Sequence, residues 1–372
     1  MRRSGREFLL LVLALAVAGA GICLLGGCGG SSETARVTSK PESRADVAAQ
    51  HFLNRYVARD GRVVRIDQGG DTVGEGQAYG MLLAAAIGDA HRFDAIWAWT
   101  RANLQRPDGL ISFLWKGGHV IDPQAASDAD VDAARALLVA SCRFHRPSLR
   151  AEGLALGRAI MQVEATAFHG APVLSAGPWA VKAPITINPS YFSPATFAAL
   201  RGASRDGRWS DLARTSRALT SSLMPAPGRL PPDWARLEGA GAVAIGSPGD
   251  PQAAPQFSFD AVRTLVRMAE DPNPAGPHIA ARAWPVFRRQ NPTKLPVEHN
   301  LAGRPIGNTL HPVVLVAAAG AADAAGHAGA RDGLLDEAAA LDRHFPTYYG
   351  AAWVALGRMM LTTKRLDVCS SS

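Results

Sequence analysis

Apolar positions recur along most of this 372-residue chain every three or four residues, the spacing that lines one face of an α-helix. Near the C-terminus Tyr349, Ala352, Trp353, Leu356 and Met360 fall at i, i+3, i+4, i+7 and i+11. The pattern predicts twelve helices, over residues 45–59, 75–87, 90–104, 128–144, 149–166, 193–203, 207–223, 258–270, 278–289, 311–322, 331–343 and 348–362. The period-two alternation of half-buried strands is sparse. Pro and Gly gather in 170–195, 224–256 and 291–312, which predicts long surface connections there. Twelve helices joined alternately by short and long loops suit an all-α fold of six helical hairpins closed into a ring. An open solenoid would show the same periodicity, although no fixed repeat marks one.

The first residues depart from this pattern. Phe8 to Leu25 carry no charge and follow Arg2, Arg3 and Arg6, which reads as an export signal. Leu25-Gly26-Gly27-Cys28 resembles a bacterial lipobox, so residues 1–27 are expected to be removed and Cys28 to carry lipid. An uncleaved anchor is the alternative, since the stretch can just span a bilayer. Residues 28–44 read as a tether, 45–363 as the helical-barrel domain and 364–372 as a tail. The expected protein is exported, lipid-anchored or secreted, and monomeric. Cleavage would remove three Arg and one Glu and lower the formal charge from +7 to +5.

Composition narrows the chemistry. With Cys23 in the leader and Cys28 lipidated, only Cys142 and Cys369 remain, too few for a disulfide scaffold. Cys142 lies in an apolar helical stretch and reads as a buried free thiol, with a bridge to Cys369 unsupported. The ten His show no ligand spacing, so no metal and no cofactor are expected. No nucleophile elbow, phosphate loop or Cys–His pair is present, and no nucleic acid is expected as a partner. Gly74, Gly76 and Gly80 could suggest a dinucleotide loop, but the apolar strand that should precede it is missing.

Three acidic segments remain. Glu75 sits between Gly74 and Gly76 at a helix start, either as a first-turn acid or as a general acid with nothing bulky beside it. In Ser127-Asp128-Ala129-Asp130-Val131-Asp132, Ser127 and Asp130 have capping-box spacing, and Asp128 on the helix N-terminus should stay ionised well below neutral pH. Asp260 and Arg263 share a helix face, as a surface ion pair or as a base held ionised by its guanidinium, with Arg267 one turn on. Trp97 and Trp353, mid-helix, are predicted core, whereas Trp115, Trp179 and Tyr191 lie at loops and suit stacking on sugar rings. Two carboxyl groups in different protonation states are the minimum for hydrolysing a glycoside.

In order along residues 45–362, Gly74-Glu75-Gly76-Gln77-Ala78-Tyr79, Arg92-Phe93-Asp94 with Trp97 and Trp99-Thr100, Ala126-Ser127-Asp128-Ala129-Asp130, Asn188-Pro189-Ser190-Tyr191, Phe259-Asp260-Ala261-Val262-Arg263 and Tyr348-Tyr349-Gly350 resemble glycoside hydrolase family 8, the bacterial endo-β-1,4-glucanases of the cellulase D family. The resemblance implies an (α/α)6 barrel and inverting, cofactor-free hydrolysis of a β-1,4-linked glucan. It matches Glu75 to the general acid, Asp260 to the general base, and Asp128 to the aspartate that holds substrate at the cleavage point. It sets Asp130 beside Asp128, Tyr191 near the attacking water and Arg263 behind the base. Tyr79, Asn188, Trp115 and Trp179 complete the expected substrate-binding set. Phe259 and Ala133 depart from the family pattern, which has Tyr and a bulkier residue there. Xylan or chitosan are alternative substrates, and a silent carbohydrate-binding lipoprotein is the alternative function; the positive charge disfavours chitosan.

Overall fold

The computed structural model describes residues 43–369 apart from Ala240. The leader, Cys28 and nearly all of the tether lie outside the described residues. The chain passes through α1 (Arg44–Tyr56), α2 (Gly74–Ile87), α3 (Ala90–Asn103), α4 (Ser127–Arg143), α5 (Pro147–Ala159), α6 (Pro194–Ser204) and α7 (Arg208–Leu223). It continues through α8 (Val262–Ala269), α9 (Ala275–Ala281), the single turn α10 (Trp284–Phe287), α11 (Pro312–Ala324), α12 (Ala328–His344) and α13 (Tyr348–Thr362).

Two populations of helix build the ring. Helices α2, α4, α6, α8, α11 and α13 each pack against the next, and α13 returns to α2, which closes an inner ring. Outside them lie α3, α5, α7, α9 and α12, each on the inner helix before it. The first helix supplies the sixth outer position by packing on the last, α13. The sequence explains the division. Inner α2 buries 12 of its 14 residues and is apolar nearly all round, whereas outer α12 buries 4 of 17. Small residues let the inner helices approach: a Cβ at Gly357 would meet Val316 Cγ1 at 2.3 Å, and one at Gly320 would meet Leu265 O at 3.1 Å. The fold is therefore the (α/α)6 barrel.

Several boundaries differ from the pattern-based expectation. The predicted 278–289 helix is divided into α9 and α10, because Pro285 cannot donate a backbone hydrogen bond. The predicted 149–166 helix ends as α5 followed by a π-helical turn, Ile160–Glu164. Ten short strands occupy the connections among the described residues. They are β1 (Thr72–Val73), β2 (Ser112–Lys116) and β3 (His119–Ala125) in one antiparallel sheet, the hairpin β4 (Ala165–Phe168) and β5 (Ala171–Leu174), β6 (Ile185–Ile187), β7 (Trp234–Glu238) and β8 (Gly241–Ile245) in a second sheet, and the pair β9 (Gln256–Phe257) and β10 (His299–Asn300). At two to seven residues they are too short to impose a visible alternation.

Two local expectations are overturned. Ser127 does not cap α4: its hydroxyl donates to Ser175 O at 2.7 Å, while Asp130 Oδ1 accepts the Ile111 amide at 2.9 Å. Cys142 is not a free thiol but is bonded to Cys369, with 5.9 Å between their Cα atoms. The terminal residues turn back along the barrel, where Arg135 Nε donates to Leu366 O and Arg365 pairs with Asp46.

Candidate active site

The inner helices begin at one end of the ring, and the acidic segments are gathered there because each occupies a helix start. Glu75 is the second residue of α2; Asp128, Asp130 and Asp132 open α4; Asp260 precedes α8; Tyr348 and Tyr349 open α13. Unsatisfied N–H groups and the aligned helix dipoles give this end a positive potential, which favours carboxylates.

Arg263 organises the centre. Its side chain is 2% exposed and touches three carboxylates: Asp128 Oδ2 at 2.6 Å, Asp260 Oδ1 at 2.7 Å and Glu75 Oε2 at 3.3 Å. One guanidinium does not balance three anions, and Glu75, the group it holds most loosely, takes up a proton most readily. Burial pushes the Glu75 carboxyl up to about 7, Asp128 adds to the rise, and Arg263 opposes it. Asp260 is raised by burial to about 6, with Arg263 pulling it down and Asp233 pushing it up. Because both contact one guanidinium, the contacting oxygens of Glu75 and Asp260 are held within about 8 Å of each other, which overlaps the lower part of the roughly 6.5–9.5 Å spacing of an inverting pair.

The two glycines beside Glu75 are steric necessities. A Cβ at Gly76 would lie 2.6 Å from the Tyr348 hydroxyl, and one at Gly74 would lie 2.9 Å from Ser112 O. Gln77, fully buried, accepts the Val63 amide at 2.6 Å and donates to Thr100 at 2.9 Å, which pins the start of α2.

The remaining expected residues separate into those at the cleft and those beneath it. Tyr191 lies under Arg263, with its ring 5.2 Å from the guanidinium carbon. Trp234 stands 6.0 Å from Tyr191 and 6.4 Å from Trp179, a residue that is 43% exposed, so three aromatics form a wall leading through Trp234 to Asp260. Trp115 rests edge-on against Trp99 at 5.2 Å with Arg62 over its face. Asn188 Oδ1 accepts from Ser190, and its side-chain amide faces Asp260.

Four expectations change. Tyr79 is fully buried behind Arg263, receiving its Nη1 at 3.2 Å and the Trp353 indole at 3.3 Å, so it steadies the arginine and cannot meet a substrate. Asp130 is likewise closed off, below Asp128 and against the buried Glu164, and burial drives both carboxyls well above the usual range. Asp128 accepts the Ala129 amide as foreseen, yet burial raises its carboxyl instead of leaving it strongly acidic. Neither arginine of α8 is on the surface: Arg267 is fully buried and grips Asp132 through two contacts of 2.9 and 2.7 Å.

Of the opposite rim, the motifs singled out Phe259 and Tyr349 without a role, and nothing in the sequence pointed to Arg65, Asp67, Gln68 or His311. A cavity of about 420 Å³ lies between Arg65, Asp67, Gln68, Glu75, Asp260 and the Phe259, His311 and Tyr349 rings. Phe259 and His311 stand 5.2 Å apart, and Tyr349 donates its hydroxyl to Phe259 O at 2.7 Å. Burial lowers His311 to about 4, so it is neutral near pH 6–7 and donates from Nε2 to Thr347. These residues come from four separate segments, which no sequence-local signal connects. Among the described residues, no group of three His, Cys, Asp or Glu could hold a metal ion.

Residues 35–289 match the sequence model "Glycosyl hydrolases family 8". A "Probable endoglucanase" of Novacetimonas hansenii is 31% identical over 260 residues, 64% of this chain and 72% of that protein. An "Endoglucanase" of Cellulomonas uda is 28% identical over 271 residues, 70% of this chain and 72% of that protein. Among solved structures, the endo-β-1,4-glucanase CMCax of Acetobacter xylinum superposes with a TM-score of 0.72 at 30% identity, covering 86% of this chain and 99% of that one.

Proposed function

The chain belongs to glycosyl hydrolase family 8, and from that premise we propose that it cleaves internal bonds of a β-1,4-linked glucan with inversion at the anomeric carbon. Glu75 gives its proton to the glycosidic oxygen while Asp260 takes one from a water attacking the opposite face of the ring. Asp128 stays anionic against Arg263 and steadies the positive charge that develops on the sugar. Tyr191 borders the water, and Trp179, Trp234 and Trp115 offer stacking faces to the polymer.

The observation that carries this reading is the unequal sharing of Arg263. Its short contacts favour the ionised forms of Asp128 and Asp260, and its longer contact leaves Glu75 able to hold a proton. Reducing-end release from carboxymethylcellulose tests it. Glu75→Gln and Asp260→Asn should each lower the rate at least about 100-fold, and Glu75→Gln should still bind cello-oligosaccharides. Rates near the parent's in either variant would remove that residue from its role.

The Cys142–Cys369 disulfide supports an oxidising compartment, in keeping with an export leader, lipid on Cys28 and a tether to the membrane surface. In that setting the barrel works as a monomer on a polysaccharide near the cell's own surface.

A further inference from the structure

Asp233, at the end of the loop before β7, is outside the acid-and-base pair, yet its buried carboxylate is fully engaged. Oδ1 accepts the Ser258 and Ala261 amides, both at 2.8 Å, and Oδ2 accepts the Ser258 hydroxyl at 2.5 Å. Its own amide donates to Gln256 O at 2.8 Å. These donors bracket Asp260, two residues before it and one after. The turn they form precedes α8, so its N–H groups have no intrahelical partners, and Asp233 satisfies them from another element.

We propose that Asp233 is a positioning residue for the reaction: it holds the turn that carries Asp260 and sets a second negative charge behind that carboxylate. The inference rests on Asp260 serving as the base. Two physical effects follow. The three hydrogen bonds fix the direction from which Asp260 meets its water, and small displacements of a catalytic group are expensive. Burial raises the Asp233 carboxyl while its hydrogen bonds from Ser258 and Ala261 pull it back down, and its charged form opposes ionisation of Asp260 and so offsets Arg263, which would otherwise leave a weak base. The other groups facing Asp260 are Arg263 on its own element, Glu75 from α2, Tyr191 before α6, Tyr349 from α13, neutral His311 before α11, and the Asn188 amide and Trp234 indole. Asp233 also immediately precedes Trp234, so one carboxylate ties the aromatic wall to the base.

The test is the pH dependence of kcat/KM on soluble cello-oligosaccharides for the parent, Asp233→Asn and Asp260→Asn, with Ser258→Ala as a milder probe. The Asn oxygen can still accept both amides, so Asp233→Asn should fold, and its acidic limb should move about half a unit or more to lower pH. Its kcat should fall several-fold with KM little changed. Ser258→Ala, which removes only the hydroxyl contact, should lower kcat at unchanged KM, and this reading stands even if Asp233→Asn does not fold. An acidic limb that stays in place in Asp233→Asn, or parental kcat in Ser258→Ala, overturns the proposal. High activity in Asp260→Asn would instead overturn the assignment of the base.

Discussion

The acid and base differ through their surroundings, although both belong to one carboxyl class. Both carboxyls are raised by burial, and their opposite roles fix the sign of each pH dependence. Asp260, at about 6, must be ionised, and activity is lost as pH falls through that value. Glu75, at about 7, must be protonated, and activity is lost as pH rises through that value. A narrow bell with its maximum between pH 6 and 7 is expected in kcat/KM; a broad plateau extending above pH 8 would contradict the protonated Glu75. Glu75 and Asp260 could be singled out in the sequence because one lies between two glycines and the other has an arginine three residues on. The fates of Asp128, Asp130 and Asp132 could not. Alternating acids at one helix start meet Arg263, the Ile111 amide and Arg267, partners set by tertiary packing.

Among elements, α4 and α8 are tied together beneath the site by a buried ion pair. Asp132 and Arg267 are both essentially unexposed, and the Arg267 guanidinium lies 5.7 Å from the Trp353 ring of α13. Removing one partner leaves an uncompensated buried charge, which costs about 3–5 kcal/mol. Asp132→Asn is expected to lower Tm by several degrees and to reduce kcat, because Arg263 lies one turn from Arg267 on the same helix; an unchanged Tm in thermal unfolding would contradict this. The helices themselves were legible in the sequence because a 3.6-residue period repeated over several turns outweighs local noise. The strands were not, since β1 and β9 are two residues long and exist only through pairing with a distant partner.

At the scale of the molecule, closure of the ring is what periodicity alone leaves open, because stacked hairpins read the same whether or not their ends meet. The ends meet here when α1 packs on α13, and a disulfide 227 residues long in sequence fastens the terminal residues to α4. A cross-link of that span restricts the unfolded chain by up to about 5 kcal/mol. Reduction, or Cys142→Ser, is expected to lower Tm with little effect on kcat, since the bond lies at the opposite end of α4 from Asp128. Equal Tm values with and without reductant would contradict a stabilising role. The reading of Cys142 as a free thiol failed because the C-terminal residues have no periodicity to show where they return.

Inversion requires water to attack from the face opposite the departing sugar, with Glu75 and Asp260 on the two sides. Time-resolved proton NMR of cellopentaose hydrolysis reads that geometry directly from the anomer formed first. The expected first product is the α-anomer, which then mutarotates to the equilibrium mixture. Initial appearance of the β-anomer would mean retention through a covalent intermediate and would contradict the assignment of Asp260 as a base acting on water.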